Sequence, residues 1–115
     1  MIVPLLILAS ATFFADHCKA ANGKTPAQNR RKYGYCAAYN LGRLGDRLEL
    51  TSRAGRRVYV TVTDRGGMGR DVVDLRPEAA LALIGPQYKS IGRLRGVSIR
   101  TVTRSKHKRR KHDTQ

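Results

Sequence analysis

The residues most suited to chemistry gather at the end of one segment, Arg57-Val58-Tyr59-Val60-Thr61-Val62-Thr63-Asp64-Arg65-Gly66-Gly67. Val58, Val60 and Val62 alternate with Tyr59, Thr61 and Thr63, the period-two pattern of a strand with one buried face. Asp64 continues the parity of the valines, so its carboxylate is expected at the end of an apolar row, on the core side. Arg65 stands next to it as a possible counter-charge. Gly66 and Gly67 break the strand, permit backbone conformations closed to other residues, and leave room for a ligand above the acid. An acid placed this way suits cleavage of a glycosidic bond, which needs a proton delivered to the leaving oxygen. The bland alternative is an Asp64 that only accepts backbone N–H bonds from the turn.

Other candidates are weaker. Asp71 and Asp74 bracket a short apolar run, Val72-Val73. Asp71 is expected to be solvated. Asp74 precedes Pro77 by three residues, where it is expected to bond amides at a helix start; contact with substrate is its second reading. Cys18 and Cys36 are the only cysteines. In an exported chain they would form a disulfide worth about 3 kcal/mol. They lack metal-ligand spacing, and His17 beside Cys18 adds little, so no metal or cofactor is expected.

The elements that must position these residues follow from local patterns. Tyr35-Cys36-Ala37-Ala38-Tyr39, Arg47-Leu48-Glu49-Leu50-Thr51, Asp71-Val72-Val73-Asp74-Leu75 and Gly96 to Thr103 read as strands around the central one. Ala11 to Asp16 is a candidate first strand. Ser52 to Arg56, with Gly55, reads as a hairpin turn. Pro77 to Ile84 is the one convincing helix, opened by Pro77 and Glu78 and stopped by Gly85-Pro86. Thr25-Pro26 marks a loop, Arg30-Arg31-Lys32 a solvated basic run, and residues 87–95 a further loop. Six short strands with turn signals between them indicate a small β-barrel.

Composition limits the partners. The chain has 115 residues, enough for one domain with its own core. Its formal net charge is +15 and its pI about 10.9. Six of the 23 basic residues and one of the 8 acids lie in residues 104–115, so the remainder is still net +10. A polyanionic partner is expected, either nucleic acid or an anionic wall polymer. The absence of Trp argues against an aromatic platform for single-stranded nucleic acid. Residues 1–11 resemble the hydrophobic part of a secretory signal without its basic start, too short to span a bilayer; a buried first strand is the alternative. Residues 104–115 have nothing to bury and are expected to be a disordered basic tail.

Five segments in order carry a resemblance. They are Ala20-Ala21-Asn22-Gly23, Ala37-Ala38-Tyr39 with Leu44-Gly45-Asp46-Arg47-Leu48, Val60 to Gly66, Val73 to Ala80, and Gly96-Val97-Ser98-Ile99-Arg100. Together they resemble the double-psi β-barrel of the rare lipoprotein A (RlpA)-like group, related to barwin and the expansins. The resemblance implies a mainly β, six-stranded double-psi barrel with one short helix over residues 12–103, and an open groove that binds glycan strands. It also implies that Asp64 is the catalytic acid of a lytic transglycosylase, with Tyr39, Arg65, Gly66 and Asp74 beside the substrate. The family's histidine falls on Tyr39, and its Leu-Pro before the glycine is Arg43-Leu44 here. In such enzymes the sugar's own hydroxyl attacks, so one acid can serve as acid and base in turn. The leading expectation is therefore an exported, monomeric barrel that binds peptidoglycan or another anionic cell-wall polysaccharide, with cleavage by Asp64 as general acid/base its enzymatic form. A non-catalytic, expansin-like wall-binding barrel and a nucleic-acid-associated barrel are the alternatives.

Overall fold

In the computed structural model, residues 6–13, 20–66, 69 and 71–105 are described; they form six strands and three short helices. In chain order these are β1 (Leu6–Phe13), α1 (Pro26–Tyr33), β2 (Cys36–Tyr39), β3 (Arg47–Thr51), β4 (Arg57–Asp64), β5 (Val72–Leu75), α2 (Pro77–Ile84), α3 (Tyr88–Ile91) and β6 (Leu94–Thr103). The strands close into a barrel in the order β1-β5-β2-β4-β3-β6. The β1–β5 and β2–β4 pairs are parallel, and the other four are antiparallel. Closure leaves no free sheet edge, which protects a chain this rich in β-prone segments from pairing with its neighbours.

Alternation fills the interior. Leu48 and Leu50, Val58, Val60 and Val62, Val73 and Leu75, and Val97 and Ile99 point inward from four walls. Ala79, Ala80, Leu83 and Ile84 of α2 pack on the same core. That burial holds a helix of barely two turns that would not persist alone. The β3–β4 hairpin closes as the sequence indicated, with Gly55 at φ +89° and its N–H donating to Ser52 O at 2.9 Å.

Three expectations change. The barrel opens at Leu6, not at residue 12: Leu6 to Ala9 pair with β6 from Arg100 to Val97, and Ser10 to Phe13 pair with β5. The signal-like stretch thus supplies the first strand, and Ala9 and Ala11 are core residues. Apolar periodicity cannot separate a short buried strand from the core of a signal. At the other end, Arg104 and Ser105 belong to the folded unit, because both reach the buried carboxylate of Asp46. Residues 106–115, where most of the tail was expected, lie outside the described residues.

Two helices also stand where loops were expected. α1 begins with a capping box: Thr25 Oγ1 accepts from Gln28 N at 3.2 Å, and Gln28 Oε1 accepts from Thr25 N at 2.8 Å. Pro26 suits the first helical position. Arg30, Arg31 and Lys32 are the last turn of α1, exposed at the end of the helix dipole that favours cations. α3 is a single turn, Tyr88–Ile91, whose Tyr88 ring meets Phe13 edge-on at 4.9 Å.

Candidate functional site: a cross-strand row with two acids

The position of Asp64 is decided by a β-bulge. Val62 pairs with Ala37, but the next pair is Asp64 with Ala38, so β4 advances two residues while β2 advances one. One added residue reverses the side on which everything beyond it lies. Ala37 and Tyr39 belong to the interior cluster and Ala38 does not. Asp64 is therefore aligned with the outer side of the wall. The expectation that it extends the inward valine row is corrected by the extra residue, Thr63.

The same alignment brings in Asp74. Ala38 pairs with Asp74 on its other side, and Asp74 pairs in turn with Thr12. Thr12, Asp74, Ala38 and Asp64 thus form one row across β1, β5, β2 and β4. Thr12 Oγ1 donates to Asp74 Oδ1 at 2.6 Å. Asp74 does not cap α2, as the sequence led one to expect; the N-cap is Arg76, with no side-chain cap bond. Burial pushes the Asp74 carboxyl above its ordinary range. The hydrogen bond from Thr12 pulls it back, and the nearby Asp64 carboxylate raises it further. A carboxyl made reluctant to ionise, next to a second carboxylate, is the kind of pair found where acids do work.

Around Asp64 the backbone is well organised. Asp64 Oδ1 accepts from Ala21 N and Arg65 N, both at 2.8 Å. Ala21 comes from the loop before α1. An asparagine pair pins that loop: Asn22 Nδ2 donates to Asn29 Oδ1 at 2.6 Å, with Asn29 2% exposed. The turn after Asp64 is clamped by Asn40, the residue after β2, whose Nδ2 donates to Gly66 O at 2.9 Å and whose Oδ1 accepts from Gly66 N at 3.2 Å. Gly66 is not among the glycines with positive φ, so its role here is pairing with Asn40 and not an unusual conformation. Arg65 is exposed and its guanidinium reaches Asn40 O at 3.4 Å. Gly67 lies outside the described residues.

Asp64 lines a hollow of about 330 Å³, counting the space open to solvent, together with Asn29, Arg30, Cys36, Arg76 and Glu78. The Cys36 thiol donates to Gly34 O at 3.3 Å, and burial pushes its pKa up to about 11. That makes it a poor nucleophile. Its expected disulfide partner, Cys18, lies outside the described residues, as does His17. Asp71 is exposed.

Tyr39 does not join the site. Its ring is 2% exposed inside the barrel, where a Cβ on Gly42 would lie 3.1 Å from it. Its hydroxyl has no hydrogen-bond partner among the described residues, and burial raises its pKa. The position where the resemblance placed a catalytic partner is thus a core position.

Sequence reasoning missed Thr12, Asn40 and the Asn22–Asn29 pair. The capping box Thr25-Pro26-Ala27-Gln28 was a legible signal for α1, and with it for the wall behind Asp64. Nothing local marks Thr12, which meets Asp74 across 62 residues of chain.

The closed six-stranded barrel and its short helices define a double-psi, expansin-like fold. Among solved structures, the chain is similar to the Streptomyces papain inhibitor (TM-score 0.66, 20% identity, 84% of this chain and 93% of that one). It is also similar to cerato-platanin 3 from M. perniciosa (TM-score 0.61, 16% identity, 85% and 94%). The apo expansin of Clavibacter michiganensis matches at TM-score 0.60 and 20% identity, over 91% of this chain and 53% of that one. No family model matches the chain, and no curated protein matches it in sequence.

Proposed function

We propose that this chain is an extracellular barrel that binds cell-wall polysaccharide along the Thr12–Asp74–Asp64 row, without cleaving it. The observation that carries the reading is the row itself: three polar side chains brought from three strands to the outer side of one wall, beside an open hollow. Hydroxyls of a sugar chain are matched by carboxylate acceptors held in fixed positions. The expansin-like fold agrees with this. Tyr39 favours binding over catalysis, because it replaces the expected histidine with a ring turned into the core. The test is sedimentation of the full chain with insoluble cell-wall glycan. Wild type pellets; Asp64→Asn and Asp74→Asn lose about tenfold or more in affinity, as for charge-assisted hydrogen bonds.

The RlpA-like alternative, a lytic transglycosylase acting on peptidoglycan, is favoured by one feature: Asp74, whose carboxyl burial pushes above its ordinary range, shares a cross-strand row with a second carboxyl, Asp64. It requires anhydro-sugar fragments from purified peptidoglycan, abolished in Asp64→Asn. Binding without fragments rejects it and leaves the binding reading standing.

A further inference from the structure

On another part of the barrel wall, β4, β3 and β6 place Tyr59, Glu49 and Arg100 in a single cross-strand row. Arg100 Nε meets Glu49 Oε1 at 3.1 Å; Tyr59 Oη donates to Oε2 at 2.9 Å, and Arg57 Nε approaches it at 3.5 Å. Glu49 is the covered member, with 12% of its side chain exposed, while Arg57 and Arg100 are 59% and 37% exposed. Arg47 lies with its guanidinium carbon 5.7 Å from the centre of the Tyr59 ring, and the tyrosine is 38% exposed. Three arginines thus surround one acid and one exposed ring. Arg47 pairs with Thr103, and the chain continues from Ser105 into a segment with five basic residues in ten.

We infer that the outer face of β3, β4 and β6 is a second binding surface, which takes a carboxylate-bearing polysaccharide such as a polyuronate. Charge complementarity sets the sign of the partner. Glu49 shows the geometry: two guanidinium groups and a tyrosine hydroxyl already converge on one carboxylate. Both arginines meet it through Nε, and no other acceptor among the described residues engages their terminal nitrogens. Those planar forks suit further carboxylates along a chain. Tyr59 adds a ring with one apolar surface and one polar tip, fitted to a sugar. Single-stranded nucleic acid is disfavoured because the one exposed ring of this face offers no platform for successive bases; duplex DNA is separated by the test. The inference rests on the wall-polysaccharide setting proposed above but not on the row with Asp64.

The experiment measures binding of the full-length chain to soluble polygalacturonate at several ionic strengths by affinity electrophoresis. Its fully methyl-esterified form and double-stranded DNA serve as competitors. Wild type binds the free acid; the triple variant Arg47→Gln/Arg57→Gln/Arg100→Gln binds about tenfold or more weakly, with a shallower salt dependence. The charge-preserving triple Lys variant keeps the charge while removing the forks, and binds several-fold more weakly. A Lys variant equal to wild type overturns the proposal, as does a Gln variant within about twofold of it. Equal affinity for the ester or for DNA overturns it too. The site proposed on the Thr12–Asp74–Asp64 row is read separately, by sedimentation of Asp64→Asn with insoluble wall, so the two ideas fail independently.

Discussion

Two rows of side chains on one barrel treat a carboxylate in opposite ways. On the β1–β5–β2–β4 wall, Asp74 is met by the Thr12 hydroxyl and faces a second acid, Asp64; its ionisation is opposed. On the β4–β3–β6 wall, Glu49 is held by Arg100 and Tyr59, with Arg57 nearby, and its pKa is lowered. Each wall carries one register shift, between Ala37 and Ala38 in the first and between Arg47 and Leu48 in the second, so the difference is one of chemistry placed on the same scaffold. An acid that the fold stabilises needs no further explanation. An acid that the fold leaves at a cost marks a place where a ligand completes the balance.

A third acid sets the scale for a structural role. Asp46 is fully buried; it accepts from Arg43 N at 2.9 Å and Ser105 N at 2.7 Å, with Arg104 at 3.5 Å. Asp46→Ala is expected to cost about 3 kcal/mol, because it removes a buried carboxylate and strands the amides of Arg43 and Ser105 and the guanidinium of Arg104. It should leave glycan affinity unchanged in whatever fraction stays folded. Denaturant unfolding and sedimentation separate the two effects, and a selective loss of binding would blur the distinction between site and scaffold.

The sharpest contrast is in pH. Asp74→Asn keeps the shape and can still accept from Thr12, so it should raise the melting temperature at neutral pH while weakening glycan binding. A raised pKa in the folded state means that the cost is full above that value and gone below the ordinary carboxylate value of 3.8. The advantage of Asp74→Asn therefore shrinks as pH falls. Glu49→Gln behaves inversely. A lowered pKa contributes stability that is present above the ordinary glutamate value of 4.5 and lost as pH falls through the folded value. Its melting temperature should lie below that of wild type at neutral pH and converge with it in acid. Melting curves at several pH values test both, and parallel behaviour of the two variants would break the comparison.

The smallest effect belongs to the interior between the walls. Tyr39→Phe removes a buried hydroxyl that lacks a partner among the described residues, and is expected to be neutral or stabilising by about 1 kcal/mol. A clear loss of stability would mean that the hydroxyl is bonded in solution. A loss of glycan binding at unchanged stability would return Tyr39 to the site.

The sequence by itself determined the barrel's inventory. Strict alternation in β3 and in the valines of β4, Gly55 in the hairpin and Pro77 at the head of α2 are local signals with local causes, and each element stands where those signals put it. The capping box of α1 was equally local and went unread. Tertiary structure alone decided which face Asp64 occupies, since a bulge is a mismatch between two strands and appears in neither one separately. It likewise decided the meeting of Thr12 with Asp74 and the use of Leu6–Phe13 as a wall. A strand's apolar pattern says that one face must be covered, but the partners that cover it are chosen by closure of the whole barrel.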